Sequence, residues 1–228
     1  MILVDTVYQR VLALANKEQR GYITPQEFNL LANQAQMEIF EQYFYDQKSE
    51  DQNLKNSTEF SNVDEMLDEK LSIFKNIQAL TVTGSTGILP SNMYRLGSLF
   101  YASSLIEVEQ VTEEELMYLQ QSPLAKPSVY CPAFVRSGGD TVTLYPMPPT
   151  AINLNYIKTP AKVVWGYAVI NDKALYNNGS STNFELHGSD ETEVVYKILS
   201  LAGITIAKPG LGTYAEQQIT AQKTQEKQ

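Results

Sequence analysis

The sequence predicts an α+β fold in which N- and C-terminal helices pack as a bundle and an antiparallel β-rich body is inserted between them. Apolar residues recur at helical spacing near both ends of the chain, whereas short runs of β-branched and aromatic residues fill its middle. Turn-forming residues separate those runs. We therefore expect three segments: an N-terminal helical part over residues 1–75, the β-rich body over 76–188, and C-terminal helices over 189–228.

The N-terminal segment is expected to begin with two helices. The first covers residues 2–16, where apolar side chains follow one helical face. The second begins after Thr24, because Thr-Pro-Gln-Glu supplies an N-cap, a proline at the first helical position and a glutamate three residues after the cap. Its apolar stripe predicts a helix that ends near Tyr45. The polar stretch 46–62 is expected to be a loop or an arm that a partner orders, and a shorter helix follows it.

The β-rich body is expected to contain about six short strands between residues 77 and 157. The sequence Ser-Gly-Gly-Asp at 137–140 is typical of a hairpin turn between two of them. A short helix is inserted at 112–121, where a threonine precedes three glutamates that favour the positive end of the helix dipole. Residues 167–185 are compatible with one more hairpin around Asn171.

The C-terminal segment is expected to hold an apolar helix over residues 191–206, capped by Ser189 or Asp190. A polar helix at 214–227 follows, and it has no apolar face wide enough to be buried alone. Because the bundle needs both ends of the chain, we expect these helices to pack back on the N-terminal pair.

The composition favours protein partners over nucleic acid or membranes. The 228 residues carry a net charge of −9, and no run of basic residues provides a site for nucleic acid or an anionic membrane. The 14 tyrosines favour protein interfaces. The single cysteine, Cys131, excludes an internal disulfide and is interpreted as a buried, inert thiol in a strand. Neither a standard secretion signal nor a membrane-spanning stretch is expected.

Residues that suggest chemistry are few. His187, the one histidine, stands near Ser189 and Asp190, which formally allows a Ser-His-Asp triad. No Gly-x-Ser-x-Gly elbow accompanies it, so a residue at a helix start or an exposed residue is preferred. The four side chains considered as a dinuclear metal site lack histidine and are interpreted as a solvated acidic face: Asp64, Glu65, Asp68 and Glu69.

The sequence Gly-Ser-Thr-Gly at 84–87 lacks the lysine of a phosphate loop and is interpreted as a hairpin turn. No catalytic, cofactor-binding or metal-binding residue is therefore assigned, and no cofactor is expected. The chain is not predicted to be an enzyme.

Three motifs carry a resemblance to a known family. They are Gly-Ile-Leu-Pro-Ser-Asn-Met-Tyr-Arg at 87–95, Leu-Tyr-Pro at 144–146 and Leu-Asn-Tyr-Ile-Lys-Thr-Pro at 154–160. Together with the order of elements, they resemble the head-to-tail adaptor, or neck ring, subunits of short-tailed bacteriophages.

The resemblance implies a structural virion protein, assembled in the host bacterial cytoplasm, that forms a homo-oligomeric, dodecameric ring. Such a ring docks to the portal protein and links it to tail or nozzle proteins, while DNA crosses its channel without specific binding and no membrane is involved. Two readings stay open beside it. The chain is alternatively another ring, tube or nozzle protein of the same virion, or, in a different class, a tail-associated hydrolase.

Overall fold

The computed structural model describes residues 1–17, 23–53, 63–171, 173–205, 217–218 and 220–221. The helices are α1 (Val4–Lys17), α2 (Pro25–Asn53), α3 (Val63–Ser72), α4 (Glu113–Gln121) and α5 (Glu191–Thr205). The strands are β1 (Lys75–Ala79), β2 (Thr81–Thr83), β3 (Thr86–Ile88), β4 (Met93–Tyr101), β5 (Glu107–Gln110), β6 (Ala133–Ser137), β7 (Thr141–Tyr145), β8 (Ile152–Lys158), β9 (Tyr167–Ile170) and β10 (Lys173–Tyr176).

The chain divides into two compact units. Unit 1 combines Met1–Ile73 with Pro160–Gln228, and unit 2 is Phe74–Thr159. The expected body, residues 76–188, is therefore shared between the two units, because the chain from Pro160 onward groups with the helices.

The helices of unit 1 pack through apolar faces. Helix α5 contacts both α1 and α2, and α3 contacts α2. Val7 and Val11 of α1 are fully buried, as are Val194 and Ile198 of α5. Residues four apart lie on one face of a helix, so each pair directs its side chains to the same neighbour. Burial of each such side chain stabilises the fold by about 1.5–3 kcal/mol relative to its exposure.

Capping boxes fix the first turns of α2 and α4. The Thr24 N–H donates to Glu27 Oε2 at 2.9 Å, and the Glu27 N–H donates to Thr24 Oγ1 at 3.3 Å. Thr112 and Glu115 form the same reciprocal pair at 2.8 and 3.2 Å. Each box provides partners for backbone N–H groups that the helix itself leaves unpaired. The predicted start of the second helix after Thr24 is confirmed.

Extended chain supplies part of the interior of unit 1. Residues 160–187, which include the hairpin β9–β10, precede α5 without forming an α-helix. Isolated bridges pair Ile2 with Phe184 and Val164 with Thr182. Phe184 is fully buried, so this segment is part of the core.

Unit 2 is built on one eight-stranded sheet with the order β1-β8-β4-β5-β6-β7-β3-β2. All neighbouring strands are antiparallel except β5 and β6, which are parallel. The two outermost strands, β1 and β2, are joined by the single residue Leu80. The sheet must therefore curl until its edges approach each other, and it nearly closes into a barrel.

The inside of this sheet is apolar. On β8 the buried side chains are Ile152, Leu154 and Tyr156, and on β7 they are Val142 and Leu144. Successive side chains of a strand point to opposite faces, so this alternation separates the inside of the sheet from its outside.

Helix α4 lies in the crossover between the parallel strands. Parallel neighbours need a connection of a dozen or more residues, and the chain between β5 and β6 contains the whole of α4. Leu116 packs with Ala133 and Val135 in a second core cluster on β6. One side of α4 is therefore buried, and the other faces solvent.

The predicted fold class is wrong. A bundle of terminal helices with an inserted antiparallel body was expected, whereas the structure has a large mixed sheet and terminal helices that pack together with extended chain. Hydrophobic periodicity revealed the inserted helix but not the parallel pairing around it. It also gave no sign that residues 160–187 pack among the helices, because polar side chains of α2 hold that segment.

Other expected elements have mixed outcomes. The hairpin around Asn171 is confirmed by β9 and β10. The loop expected at 46–62 is wrong at its start, because α2 continues to Asn53, and residues 54–62 lie outside the described residues. The helix expected at 214–227 is described at four positions only, all of them helical.

Candidate interaction surfaces

His187, Ser189 and Asp190 lie together, but not in the order of a catalytic triad. His187 Nδ1 is 2.8 Å from Ser189 Oγ, and Ser189 Oγ donates to Asp190 Oδ1 at 3.1 Å. In a triad the imidazole lies between hydroxyl and carboxylate. Here the hydroxyl lies between imidazole and carboxylate. These contacts stabilise the 3₁₀ turn Gly188–Asp190 ahead of α5, so His187 lies at a helix start.

Asp190 belongs to a buried ionic cluster. Its carboxylate accepts a hydrogen bond from the Tyr43 hydroxyl and lies 2.8 Å from Lys70 Nζ. The Asp190 side chain is 0% exposed and that of Lys70 is 5% exposed. Each buried charge loses several kcal/mol of hydration, so the two groups depend on each other. The cluster joins α2 and α3 to the start of α5, and we interpret it as structural.

The predicted acidic face belongs to the third helix, α3. Glu65, Asp68 and Glu69 are exposed on α3, which confirms the predicted acidic face at these three positions, and the side chain of Asp64 is outside the described set. Across the part of the chain that the structure describes, no three His, Cys, Asp or Glu side chains are placed to hold a metal ion.

Two further predictions have opposite outcomes. The sequence at 84–87 is a hairpin turn, as predicted, since β2 and β3 pair around Gly84 and Ser85. The prediction of a buried Cys131 is wrong, because its thiol is exposed. The strand begins at Ala133, and Cys131 lies in a turn that its backbone closes with Ser128.

The hairpin β9–β10 of unit 1 exposes apolar side chains. Val169 is 65% exposed, Ile170 54% and Leu175 49%. In the described structure these two strands form a sheet of their own. A two-stranded hairpin is marginally stable unless other surfaces cover it. The hairpin is therefore a candidate contact for another protein.

Aromatic stacking positions the base of this hairpin. The ring of Trp165 lies 4.4 Å from that of Tyr8 and 5.8 Å from those of Tyr167 and Tyr176. The indole Nε1 donates to Asp5 Oδ1 at 3.0 Å. The first residue of β9 and the last residue of β10 thus contact the same buried ring.

Side-chain amides of α2 hold the chain that leads into the hairpin. Asn33 accepts from the Val163 N–H at 2.9 Å and donates to the Val163 carbonyl at 2.8 Å. Asn29 accepts from the Trp165 N–H at 2.7 Å and donates to the Trp165 carbonyl at 3.3 Å. The two side-chain amides therefore pair with the backbone N–H and C=O groups of Val163 and Trp165, as a neighbouring strand would do.

Gln36 continues this ladder by one step. Its Nε2 donates to the Ala161 carbonyl at 2.8 Å, and its Oε1 accepts from the Glu185 N–H at 3.1 Å. Glu185 in turn accepts from the Ala161 N–H at 3.0 Å. Alternate residues of extended chain present their backbone to one side, and three amides on one helix face match that spacing. The amide ladder, Asn29, Asn33 and Gln36, fixes the register of the segment.

In unit 2, the solvent side of α4 and the loop after it expose large apolar side chains. Met117 and Tyr118 are exposed on α4, and Leu124 and Tyr130 in the loop are 99% and 83% exposed. On the same side of the helix, one turn earlier, lie Glu113 and Glu114. We call the surface formed by Glu113, Glu114, Met117 and Tyr118 the helix face.

The outside of β1, β8 and β4 is a second surface of unit 2. Ile157 of β8 lies opposite Lys75 on one side and Arg95 on the other, and Asn155 lies opposite Ile77. Directly opposed residues share a side of the sheet, and the inward positions of β8 are the alternate ones. Ile77 is 62% exposed. We call Lys75, Ile77, Arg95, Asn155 and Ile157 the sheet face.

Local sequence patterns indicate only part of these surfaces. Met117 and Tyr118 lie away from the buried Leu116 on α4, and Tyr118 is nearly opposite it, as the helical period indicates. The sheet face depends on strand pairing, and the amide ladder depends on distant extended chain, so neither is visible in local sequence.

No protein-family model matches this sequence, and a search of curated proteins finds no similar one. The resemblance to phage adaptor subunits therefore depends on the sequence motifs and remains a prediction. None of the described helices is long and apolar enough to cross a membrane.

Proposed function

We propose that this chain is a structural virion protein that forms an oligomeric ring in the head-to-tail connector of a short-tailed bacteriophage. The ring docks to the portal protein and links it to the tail. The motifs at 87–95, 144–146 and 154–160, which resemble those of adaptor subunits, support the family, and the exposed surfaces support the assembly role.

One observation carries the proposal: large apolar side chains are exposed in groups on both units. They occupy the hairpin β9–β10 in unit 1 and, in unit 2, the helix face and the loop after it, where Leu124 and Tyr130 are exposed. Scattered exposed apolar residues are normal on a soluble protein, but grouped ones mark surfaces that other proteins cover. A ring subunit needs several such surfaces, because it contacts two copies of itself and the proteins above and below.

The charge of the chain is compatible with a channel for DNA. A net charge of −9 disfavours tight, non-specific binding to the phosphate backbone. DNA can move through a ring only if the channel surface binds it weakly.

Mass photometry of the purified chain with the portal ring of the same phage tests the docking step. We expect stoichiometric capture of the chain by the portal ring. A chain that ignores the portal ring while binding tail proteins would favour the alternative, another ring, tube or nozzle protein of the virion. A chain that binds none of these proteins would contradict the proposal.

Serine substitutions locate the contact with neighbouring proteins. The triple variant Val169→Ser, Ile170→Ser and Leu175→Ser removes the apolar surface of the hairpin, and we expect at least tenfold weaker capture, about 1.4 kcal/mol. Leu30→Ser is the matched control, since Leu30 is an exposed apolar residue of α2 away from the hairpin in sequence. Equal capture of both variants would exclude the hairpin as the docking contact.

A further inference from the structure

The hairpin β9–β10 directs backbone hydrogen-bonding groups to both of its outer edges. In an antiparallel pair, residues that exchange hydrogen bonds alternate with residues whose N–H and C=O groups point away from the partner strand. The Asn177 N–H donates to the Gly166 carbonyl at 2.8 Å, so Gly166 is a bonded position. From this register, the residues whose backbone groups point outward are Tyr167 and Val169 on β9 and Ala174 and Tyr176 on β10.

The outer edge of β9 continues the edge that the amide ladder covers. Backbone groups two residues apart point to the same side of extended chain, so Val163, Trp165 and Tyr167 share one edge. Gln26, in the first turn of α2, donates its amide to the Tyr167 hydroxyl at 3.5 Å and not to the backbone. The ladder therefore ends at Trp165, and the same edge is open at Tyr167 and Val169.

Neither edge of the hairpin is covered by another element. Within the described part of the chain, no backbone hydrogen bond from outside the hairpin reaches the four outward residues, and the two strands form a sheet of their own. Proteins commonly protect open edges with prolines, charged side chains or bulges. Here the register is unbroken, neither strand contains proline, and Lys173 is the one charged residue of the two strands. The edges are therefore suited to pair with another strand.

The two edges complement each other, which identifies a second copy of this chain as the partner. Tyr167 lies opposite Tyr176 and Val169 opposite Ala174, so the outward groups of both edges have the same spacing. β10 of one copy can therefore align with β9 of another in antiparallel register. A strand of a different protein would cover one edge and leave the other open, whereas each copy of this chain supplies both. Neither strand contains a carboxylate, so no like charges meet across the contact.

We propose that β10 of one copy of this chain pairs with β9 of the next copy, so that the hairpins form one antiparallel sheet across the copies. The contact joins two different edges, so it repeats and gives a ring when the rotation between copies closes. This inference rests on the proposed function for the closure of the ring, and it names the self-contact within it. Side chains point to the faces of a sheet and not to its edges, so the apolar surface of the hairpin stays available to the portal protein.

Proline substitutions test each edge in the full chain. Proline lacks an N–H group and is tolerated on an edge strand where that group points outward. Ala174→Pro removes a donor from the β10 edge, and Val169→Pro removes one from the β9 edge. We expect each variant alone to stay monomeric in native mass spectrometry at concentrations at which wild type forms rings. Ala174→Ser and Val169→Thr keep the donors and are the matched controls, which should assemble like wild type.

Mixing the two proline variants is the decisive step. Ala174→Pro keeps the β9 edge and Val169→Pro keeps the β10 edge, so one pair of intact edges can meet in the mixture. We expect heterodimers and no larger species, because both outer edges of the heterodimer contain a proline. Their formation also shows that both variants are folded.

The outcomes separate this inference from the proposed function. A wild type that stays monomeric overturns the inference, as do rings formed by either proline variant alone, and in both cases portal capture still tests the docking role. Dimers of Val169→Pro alone would indicate pairing of two β10 strands and overturn the arrangement, and absence of heterodimers in the mixture also overturns it. Heterodimers combined with failure of wild type to bind portal or tail proteins support the interface and contradict the proposed function.

Discussion

The two units differ in what they bury. The buried polar and charged residues of the described chain all belong to unit 1: Gln36, Lys70, Asp190, Glu193 and Ser200. The main core of unit 2 consists of aliphatic and aromatic side chains. Unit 1 is therefore arranged by specific polar partners, whereas unit 2 is arranged by the alternation of apolar residues along strands.

This difference sets which substitutions each unit tolerates. Apolar contacts are non-directional, so a core of this kind accepts side chains of similar volume. A buried hydrogen bond or ion pair has one suitable geometry, and loss of one partner leaves the other without compensation. Unit 1 is expected to be the more sensitive to loss of single polar groups.

The largest effect is expected for Asp190→Ala. The substitution leaves Lys70 and the Tyr43 hydroxyl without their buried carboxylate, and loss of one partner of a buried ion pair costs about 3–5 kcal/mol. Urea unfolding followed by fluorescence of Trp165, the only tryptophan and a residue of unit 1, measures this change. Glu191→Ala is the neighbouring control, because its ion pair with Arg10 is partly exposed and costs about 1 kcal/mol or less. Similar losses of unfolding free energy in both variants would contradict the distinction between the buried and the partly exposed ion pair.

A cavity in unit 2 is expected to have the next largest effect. Leu154 is fully buried inside the sheet, and Leu154→Ala should cost about 2–5 kcal/mol through lost burial and the cavity that remains. Leu154→Met keeps the volume and should cost less than about 1.5 kcal/mol. Hydrogen exchange of the β4 and β8 amides reports both variants. Equal protection of these amides in Leu154→Ala and Leu154→Met would show that packing at Leu154 does not determine the stability of unit 2.

A smaller effect is expected from the amide ladder. Asn33→Ala removes the partners of the Val163 N–H and carbonyl, which are partly buried, and should cost about 2 kcal/mol. Asn33→Asp keeps the acceptor and loses the donor, so it should keep part of the stability. Faster exchange at Val163 in Asn33→Ala, with the β8 amides unchanged, is the expected pattern. Unchanged exchange at Val163 would exclude the ladder as the cause of its order.

The smallest effect concerns pH and is expected in both units alike. A hydrogen bond from the Thr24 backbone and one from its hydroxyl lower the pKa of Glu27, and Thr112 lowers the pKa of Glu115 in the same way. Because the pKa of each carboxyl is lower in the folded state, its ionised form stabilises the fold at pH values above the ordinary pKa of 4.5. This stabilisation is lost as the pH falls below that value.

Glutamine variants test this dependence. In Glu27→Gln and Glu115→Gln the reciprocal cap remains but does not titrate. Unfolding experiments between about pH 7 and 3 should show a weaker decline with acid in each variant than in wild type. Parallel curves for variants and wild type would contradict the assigned cause.

The sequence predicted features that depend on local patterns. The Thr24–Glu27 cap, the hairpin around Asn171 and the apolar helix that α5 forms all follow from neighbouring residues. The bundle and the purely antiparallel body were wrong, because they depended on how distant elements pair. The contacts of Asn29 and Asn33 were not predicted, because their partners are more than a hundred residues away and no local pattern indicates them.

Self-assembly of the wild-type chain tests the central claim most directly. Native mass spectrometry at low and high salt measures whether the 25.6 kDa chain associates and whether charge contributes. We predict oligomers of ring size, because the exposed apolar side chains of the hairpin β9–β10 and of the helix face need partner surfaces. A strict monomer at every salt concentration and protein concentration would contradict the account.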